Sequence, residues 1–524
     1  MMKLEELSLR EKAAQLIFPR LGSNMPPPIT AAEDIARFRK EVLDHCPIGG
    51  LVLFNGSLAD TPQILAELQQ QSRIPLLVST DMERGVGQQI RGATIFPHAM
   101  AFSVAGATYL ERAARAQARE ALACGLHITF APDADVNQDP QNPIIATRAF
   151  SDDPEAAAEL VRAYIAGCGT EGLLTTAKHF PGHGNTHQDS HDELPIVRAG
   201  RDELLANDLV PFRAAIDAGV DLIMTAHVLY PAFDSDNPAT LSSKILRDLL
   251  RRELGFQGAV VTDSLLMGAI RGPEENLGRQ AARLVEAGVD ILLDVPDPVA
   301  ATDGIEAAVD DGTLNERLVN EAVERVFALK RKLLERFGEN IYKDASVAVA
   351  VEEVGSDRHR DLAADVAAAG VQMVDSHETA LPIPRDVDRR LLTVVIKPHR
   401  SRFDPAEEPF ADEVIDIFPG SVFRQLGPES DEHTYKELRK IAAAAEYIVL
   451  ALVVKPAAWH TFGLRPEQTD FVHEIVANYT PIVISLGSPY ILDAFPEAGA
   501  RVCTFSDVEA SQRAVVRWLA DARP

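Results

Sequence analysis

The residues that could carry chemistry are concentrated in one stretch, residues 178–191. Histidines recur there at intervals of four residues, at His179, His183, His187 and His191. On an α-helix this spacing would align the imidazoles on one face, as in a metal site. Pro181, Gly182 and Gly184 disfavour a helix, however, and the zinc-protease pattern H-E-x-x-H is absent. We therefore interpret the stretch as a long loop and expect no metal, with a zinc hydrolase as an alternative.

Acid–base chemistry is the second interpretation of this stretch. Asp189 and His191 lie two residues apart, so their side chains fall on the same side of an extended loop. A carboxylate beside an imidazole orients the ring and favours its protonated form. Asp263 is the expected partner, because a carboxylate directly after an apolar strand is costly to bury without a role. From position alone, Asp263 could equally be a nucleophile or the cap of the next helix.

The elements that must position these residues are short apolar runs that alternate with amphipathic helical pieces over the first 335 residues. Eight runs have the composition of strands: AAQLIF near Gln15, 50–54, 75–79, 127–131, 173–177, 221–225, 258–262 and 289–293. The first run could equally be the end of a helix. Repeated β-then-α order with continuous apolar strands predicts a parallel sheet covered by helices, and eight such units predict a (β/α)₈ barrel of the TIM type.

Polar residues follow most of these runs within a few positions. They are Asp81, Asp133, His179, His227, Asp263 and Asp294. In a (β/α)₈ barrel the chemistry lies at the carboxyl ends of the strands. A polar residue can also simply mark the end of a strand. Because six of the eight predicted strands are followed by one, we favour a polar pocket at that rim.

A second domain is predicted after the barrel. A long helical pattern ends near Phe337, so we assign residues 1–337 to the barrel and 338–356 to a linker. Residues 357–524 then contain strands at 391–396, 447–454 and 481–487, which alternate with helices. This order predicts an open α/β sandwich domain, and it carries no glycine-rich phosphate loop.

Composition excludes several function classes. The net charge of −27 argues against binding to nucleic acid or to anionic membranes. No apolar run reaches the roughly 20 residues that span a bilayer, and the first residues form an amphipathic pattern rather than a signal peptide. The cysteines lie far apart and form no CxxC motif, so no disulfide framework is indicated. These features predict a soluble, cytoplasmic protein.

Together these residues resemble glycoside hydrolase family 3, in its bacterial β-N-acetylglucosaminidase (β-N-acetylhexosaminidase) branch. The marker K-H-F-P-G-H-G, followed by D-S-H and L-P, is present from Lys178 to Pro195. The nucleophile strand of the family resembles residues 261–267. Further matches lie at 80–85, 131–137, 142–150, 224–227 and 238–242. The resemblance spans the whole predicted barrel, whereas the second domain has weaker markers.

The resemblance implies a retaining, two-step mechanism without a cofactor. Asp263 would attack the anomeric carbon, and His191 would act as acid and then base, with Asp189 holding it. Asp81, Arg148, Lys178 and His179 match positions that bind the hydroxyls of the terminal sugar. Departures occur at Gln89, where the family usually has an arginine that Arg91 could replace, and at Asn185, where aspartate is common. His183, His187 and His227 could line the pocket or stabilise the loop.

The implied substrate is a small carbohydrate with a terminal β-linked N-acetylglucosamine, cell-wall fragments being the expected source. A phosphorylase using the same intermediate and a β-glucosidase on the same fold are alternatives. A sugar-binding or scaffolding protein without activity is a further alternative, although such a protein would not need Asp189, His191 and Asp263 together.

Overall fold

The computed structural model describes residues 4–186, 194–267, 276–342, 351–377, 381–387, 390–399, 408–456 and 462–521. The chain divides into two compact units. The first contains Met1–Ile95, Ala107–Asn142 and Ala149–Arg360. The second contains Phe96–Gly106, Pro143–Arg148 and Asp361–Pro524. Among the described residues, no helix is both long and apolar enough to cross a membrane.

The first unit is a barrel of parallel strands, as the sequence predicts. The strands are β1 (Ile17–Phe18, continued as Arg20–Leu21), β2 (Gly50–Leu53), β3 (Leu77–Thr80), β4 (Ile128–Thr129), β5 (Leu174–Phe180), β6 (Leu222–Thr225), β7 (Ala259–Thr262) and β8 (Leu292–Leu293). Each strand pairs in parallel with the next, and β1 pairs with β8. Nearly every residue of these strands is buried, which explains their continuous apolar runs.

The ring closes at β1, the run that could have been a helix end or a strand. The run contains both, because its first residues end the helix Leu9–Ala14 and its last two, Ile17–Phe18, form the strand. Pro19 interrupts the strand, since proline has no N–H to donate to a ladder. Before Pro19, Phe18 accepts from the N–H of Asp294 at 2.7 Å on the β8 side. After Pro19, Leu21 accepts from the N–H of Phe54 at 2.9 Å on the β2 side.

Helices between successive strands cover the outside of the barrel. Their bounds are Leu9–Ala14, Ala31–Phe38, Thr61–Gln71, Ala107–Ala123, Pro154–Glu171, Arg201–Ala206, Leu209–Asp217, the π-helical Lys244–Glu253, Leu277–Ala287, Pro298–Asp310 and Glu316–Phe337. The short helix Phe102–Ala105 belongs to the second unit. The local sequence sets their ends. Asp153 caps the N-terminus of Pro154–Glu171 by accepting from Ala156, and Gly172 ends that helix in a left-handed conformation.

The second unit contains an open six-stranded sheet with helices, consistent with the predicted α/β sandwich. Its strands are β9 (Gln372–Ser376), β10 (Leu391–Ile396), β11 (Val422–Leu426), β12 (Tyr447–Leu452), β13 (Ile482–Ser485) and β14 (Ala500–Cys503), in the order β9-β14-β13-β12-β10-β11. Only β9 is antiparallel to its neighbour. The helices are Asp357–Ala369, which begins in the first unit, and Pro409–Ile417, Glu432–Ala442, Pro466–Asn478 and Glu509–Asp521.

Three of these strands were not predicted from the sequence. β9 and β11 lie at the two edges of the sheet and are largely exposed or half-buried, so they lack a continuous apolar run. β14 contains Arg501, which pairs with Asp375 of β9 and breaks the apolar pattern. The central strands β10, β12 and β13 are almost wholly buried and were predicted.

Candidate active site

A buried lysine joins the ends of β3 and β5. Lys178 is only 2% exposed, and its Nζ lies 2.8 Å from Oδ1 of Asp81 and 2.7 Å from Oε1 of Glu83. The barrel therefore brings together two of the residues predicted to bind sugar hydroxyls. Glu83 was missed as a site residue, although it stands in the quoted motif 80–85, because nothing in that motif indicates its contact with Lys178.

His179 is oriented by a carboxylate from the end of β4. Its Nδ1 lies 2.7 Å from Oδ2 of Asp135, and its backbone N–H also donates to that carboxylate. The backbone N–H of His183 donates to Asp135 as well, at 2.6 Å. Asp135 thus fixes the His179 ring and the start of the following loop with one side chain. It was missed as a site residue, because its role depends on neighbours more than 40 positions away.

The same region contains the one group of three potential metal ligands found among the described residues, Asp133, Asp135 and His179. N–H groups already occupy these carboxylates, since Asp133 accepts from the backbone of Asp135 at 3.0 Å and Asp135 accepts from His179 and His183. Asp135 thereby ties its own side chain to the backbone of the loop that follows β5. The group therefore fits a role in holding the loop.

His183 stabilises the loop rather than presenting a charge. Its Nδ1 donates to Oγ1 of Thr186 at 2.8 Å, because that hydroxyl donates in turn to the His183 carbonyl. Asn142 donates to the same carbonyl at 3.0 Å. Burial lowers the pKa of His183 to about 4, so the ring is neutral at physiological pH. Of the two roles considered for His183, these contacts favour the structural one.

Asp263 follows β7 and is half-buried at the same rim. Its Oδ1 accepts from the backbone N–H of Ser264 at 2.7 Å. Burial alone would raise the pKa of Asp263, but the positive charges of His179, His227 and Lys178, with the Ser264 N–H, lower it below its ordinary value. The carboxylate is therefore ionised at neutral pH, as a nucleophile requires.

The turn after Asp263 is held from two sides. The carbonyl of Ser264 lies 3.2 Å from Nε2 of His227, at the end of β6. The hydroxyl of Ser264 donates to Asp294 at 2.5 Å, and Arg20 donates to the same carboxylate with its Nε at 2.9 Å. Asp294 adopts a left-handed conformation, φ 59°, which is uncommon for a residue other than glycine. The position of the nucleophile candidate is thus tied to β1, β6 and β8.

The structure does not test the roles predicted for the remaining positions. Arg148 belongs to the second unit, where its Nη1 donates to the carbonyl of Ile144 at 3.2 Å. Gln89 is buried and accepts from Asn24 at 2.8 Å, whereas Arg91 is exposed. Residues 187–193, with His187, Asp189 and His191, lie outside the described residues, so the acid–base pair stays a prediction.

The fold and the rim define a class of enzyme. Within this barrel, a paired lysine, an oriented histidine and an ionised carboxylate all lie at the carboxyl ends of the strands, where (β/α)₈ enzymes carry their chemistry. The chain belongs to glycosyl hydrolase family 3. The sequence profile of the Glycosyl hydrolase family 3 N terminal domain matches residues 8–329.

Two curated relatives cover most of the chain. Beta-hexosaminidase A of Pseudoalteromonas piscicida is 33% identical over 398 residues, which are 69% of this chain and 64% of that protein. Beta-N-acetylglucosaminidase/beta-glucosidase of Cellulomonas fimi is 32% identical over 358 residues, 66% of this chain and 62% of that protein. The chain therefore spans somewhat less than two thirds of the length of these two relatives.

A solved structure is similar over nearly the whole chain. The glycoside hydrolase family 3 β-N-acetylglucosaminidase from Paenibacillus sp. str. FPU-7 superposes with a TM-score of 0.84 at 29% identity. The match covers 98% of this chain and 97% of that one. The similarity extends through both units.

Proposed function

We propose that this chain is a retaining, exo-acting β-N-acetylglucosaminidase that forms a covalent intermediate on Asp263. The observation that carries the proposal is the position of the Asp263 carboxylate at the rim, held by the backbone N–H of Ser264 at 2.7 Å. Burial would raise the pKa of this carboxyl, but the charges of His179, His227 and Lys178 lower it. The names of similar proteins support N-acetylglucosamine as the terminal sugar, since they include beta-hexosaminidase and β-N-acetylglucosaminidase.

In the first step, a carboxylate oxygen of Asp263 bonds to the anomeric carbon of the terminal sugar. The glycosidic C–O bond breaks, and its electron pair stays on the leaving oxygen, which takes a proton from His191. Asp189 stabilises the imidazolium before this transfer. The products are the glycosyl ester of Asp263 and the free aglycone.

In the second step, neutral His191 removes a proton from water as the water oxygen bonds to the anomeric carbon. The ester bond to Asp263 breaks and the carboxylate is regenerated, so the sugar keeps its β configuration after two inversions. Asp81, Lys178, His179 and Arg148 bind the hydroxyls of the terminal sugar in both steps. Each charged hydrogen bond of this kind contributes about 1.5–3 kcal/mol.

The proposed substrates are cell-wall fragments that end in β-linked N-acetylglucosamine, and the proposed location is the cytoplasm. All the cysteines are buried free thiols, which suits a reducing compartment. A β-glucosidase is the second candidate, because the relative from Cellulomonas fimi is named for both activities.

Hydrolysis of p-nitrophenyl β-N-acetylglucosaminide and of the β-glucoside, each with and without phosphate, tests the proposal. We expect preference for the acetamido sugar, no effect of phosphate, and loss of turnover in the isosteric variant Asp263→Asn. Exclusive turnover of the glucoside would contradict the proposal that the terminal sugar is N-acetylglucosamine. Phosphate-dependent release of a sugar 1-phosphate would contradict hydrolysis and assign the chain as a phosphorylase.

A further inference from the structure

Asp294 is a buried carboxylate at the end of β8 that no step of the proposed mechanism uses. Only 2% of the residue is exposed. Arg20 of β1 donates to it twice, from Nε to Oδ1 at 2.9 Å and from Nη2 to Oδ2. The guanidinium is itself held, since it lies 4.7 Å from the ring centre of Phe54 and donates to Oγ of Ser23 at 3.2 Å. Because a bidentate pair fixes the orientation of both partners, Asp294 is a fixed acceptor at this rim.

Ser264 connects this acceptor to the proposed nucleophile. The Ser264 hydroxyl donates to Oδ2 of Asp294 at 2.5 Å, since an ionised carboxylate can only accept. The same hydroxyl accepts from the backbone N–H of Leu266 at 3.2 Å. The carbonyl of Ser264 accepts from the backbone N–H of Met267 at 3.1 Å. The hydroxyl and the carbonyl of Ser264 are therefore both held in direction.

The backbone N–H of Ser264 holds one oxygen of Asp263. It donates to Oδ1 at 2.7 Å, whereas Oδ2 accepts no hydrogen bond from the residues that the structure describes. The half-buried carboxylate thus has one oxygen held and one oxygen open. A nucleophilic oxygen must point at the anomeric carbon, and holding its partner oxygen sets that direction.

We propose that Asp294 is a positioning residue for the covalent step, which acts through Ser264 to hold Oδ1 of Asp263 and to leave Oδ2 as the attacking oxygen. This inference rests on the proposed function, because it requires Asp263 to be the nucleophile. In that step Oδ2 forms the bond to the anomeric carbon. The leaving oxygen keeps the electron pair of the broken glycosidic bond and takes the proton of His191.

Two substitutions separate the contact from the fold. Ser264→Ala removes the hydroxyl and keeps the backbone N–H that reaches Asp263. Asp294→Asn suits the backbone, because φ is 59° there and asparagine tolerates the left-handed region better than most residues. Its NH₂ group faces either Arg20 or Ser264, and both of these need an acceptor. Each variant therefore breaks the link between Asp294 and Ser264.

The test measures the covalent step apart from sugar binding. The rate at which a 5-fluoro N-acetylglucosaminyl fluoride labels Asp263 reports the covalent step, and the inhibition constant of free N-acetylglucosamine reports binding. We expect Ser264→Ala and Asp294→Asn each to slow labelling roughly tenfold or more, with the inhibition constant nearly unchanged. Ser264→Thr keeps the hydroxyl and should retain most of the wild-type rate.

Ser242→Ala is the matched control. The buried Ser242 hydroxyl donates to Oδ2 of Asp234 at 2.7 Å and accepts from the backbone N–H of Ile245 at 3.2 Å. Lys244 pairs with the same aspartate, as Arg20 does with Asp294. The control thus loses the same kind of hydrogen bond in the same unit, at a place that does not hold the Asp263 carboxylate. We expect it to be labelled at the wild-type rate.

The double variant Ser264→Ala/Asp294→Asn shows whether Asp294 acts through Ser264. If it does, the double variant should be labelled no more slowly than the slower single variant, whereas losses that multiply would overturn the inference. Labelling of folded Ser264→Ala at the wild-type rate would overturn it as well, and this variant decides alone if Asp294→Asn does not fold.

A loss of sugar binding equal to the loss of labelling rate, or equal slowing in the control, would show general damage to the barrel and would also overturn the inference. Failure of the proposed function is recognised separately. The wild type itself would then carry no label on Asp263, and the inference would fall with it.

Discussion

The ammonium nitrogen of Lys178 lies 2.8 Å from Oδ1 of Asp81, although 97 positions separate the two residues in the chain. Glu83 accepts from the same ammonium at 2.7 Å, so a single buried cation compensates two carboxylates. A buried ion pair costs much to desolvate, and removing one partner leaves an uncompensated charge. The trio therefore matters to stability as well as to the sugar hydroxyls that Lys178 and Asp81 are proposed to bind.

Replacing Lys178 by methionine should lower both stability and sugar binding. Loss of one partner of a buried ion pair costs about 3–5 kcal/mol. Thermal unfolding and kcat/KM of Lys178→Met measure the two effects. The matched control is Lys244→Met, because Lys244 is 57% exposed and also pairs with an aspartate, for which about 0–1 kcal/mol is expected. Equal loss in both variants would contradict the role of burial.

Asp135→Asn should impair catalysis with the barrel intact. The variant loses a charge-assisted hydrogen bond to Nδ1 of His179, which is worth about 1.5–3 kcal/mol and corresponds to roughly 10- to 150-fold in kcat/KM. Circular dichroism checks the fold, and steady-state kinetics measures the effect. Full activity in a folded Asp135→Asn would show that this carboxylate does not set the orientation of His179.

Asp208 should make stability fall as pH rises. The side chain is fully buried behind Gly182, and the nearby amide of Gln138 only partly offsets the cost of burying its charge. Burial raises the pKa of Asp208 to about 7. An unfolded aspartate titrates at pH ~3.9. Between that pH and 7 the folded protein keeps a proton that the unfolded chain has lost, so the free energy of unfolding falls as the pH rises and the contribution of Asp208 is lost once the pH has passed 7.

The variant Asp208→Asn removes this dependence, because an amide stays neutral. Its stability relative to the wild type should increase by roughly 2–3 kcal/mol between pH 5 and pH 8. Urea unfolding of both proteins at several pH values measures the difference. A stability difference that does not change with pH would contradict the buried, protonated carboxyl.

His191→Ala should reveal the proposed acid by its dependence on the leaving group. Substrates with poor leaving groups need protonation of the departing oxygen, whereas nitrophenyl glycosides need little. Alkyl glycosides should therefore slow much more than nitrophenyl glycosides, and Asp189→Asn should show the same pattern less strongly. Equal slowing of both classes would exclude His191 as the acid.

The barrel could be predicted because its strands are buried on both faces, and a strand of this kind consists of a continuous run of apolar residues. The edge strands Gln372–Ser376 and Val422–Leu426 were missed because solvent on one side permits polar residues. Motifs marked Lys178 and Asp263 as candidates, and the structure places both at the carboxyl ends of barrel strands, whereas their roles stay predictions. Glu83 and Asp135 could not be predicted, because their roles arise only when distant strands become neighbours.

The covalent intermediate on Asp263 is the central claim, and trapping it is the most direct test. The protein is treated with a 5-fluoro N-acetylglucosaminyl fluoride, which forms the glycosyl-enzyme quickly and releases it slowly, and intact mass and peptide mapping follow. We predict one added fluorinated sugar residue on the peptide that contains Asp263, and none in Asp263→Asn. Label on another residue, or turnover of the substrate without any trapped ester, would contradict the account.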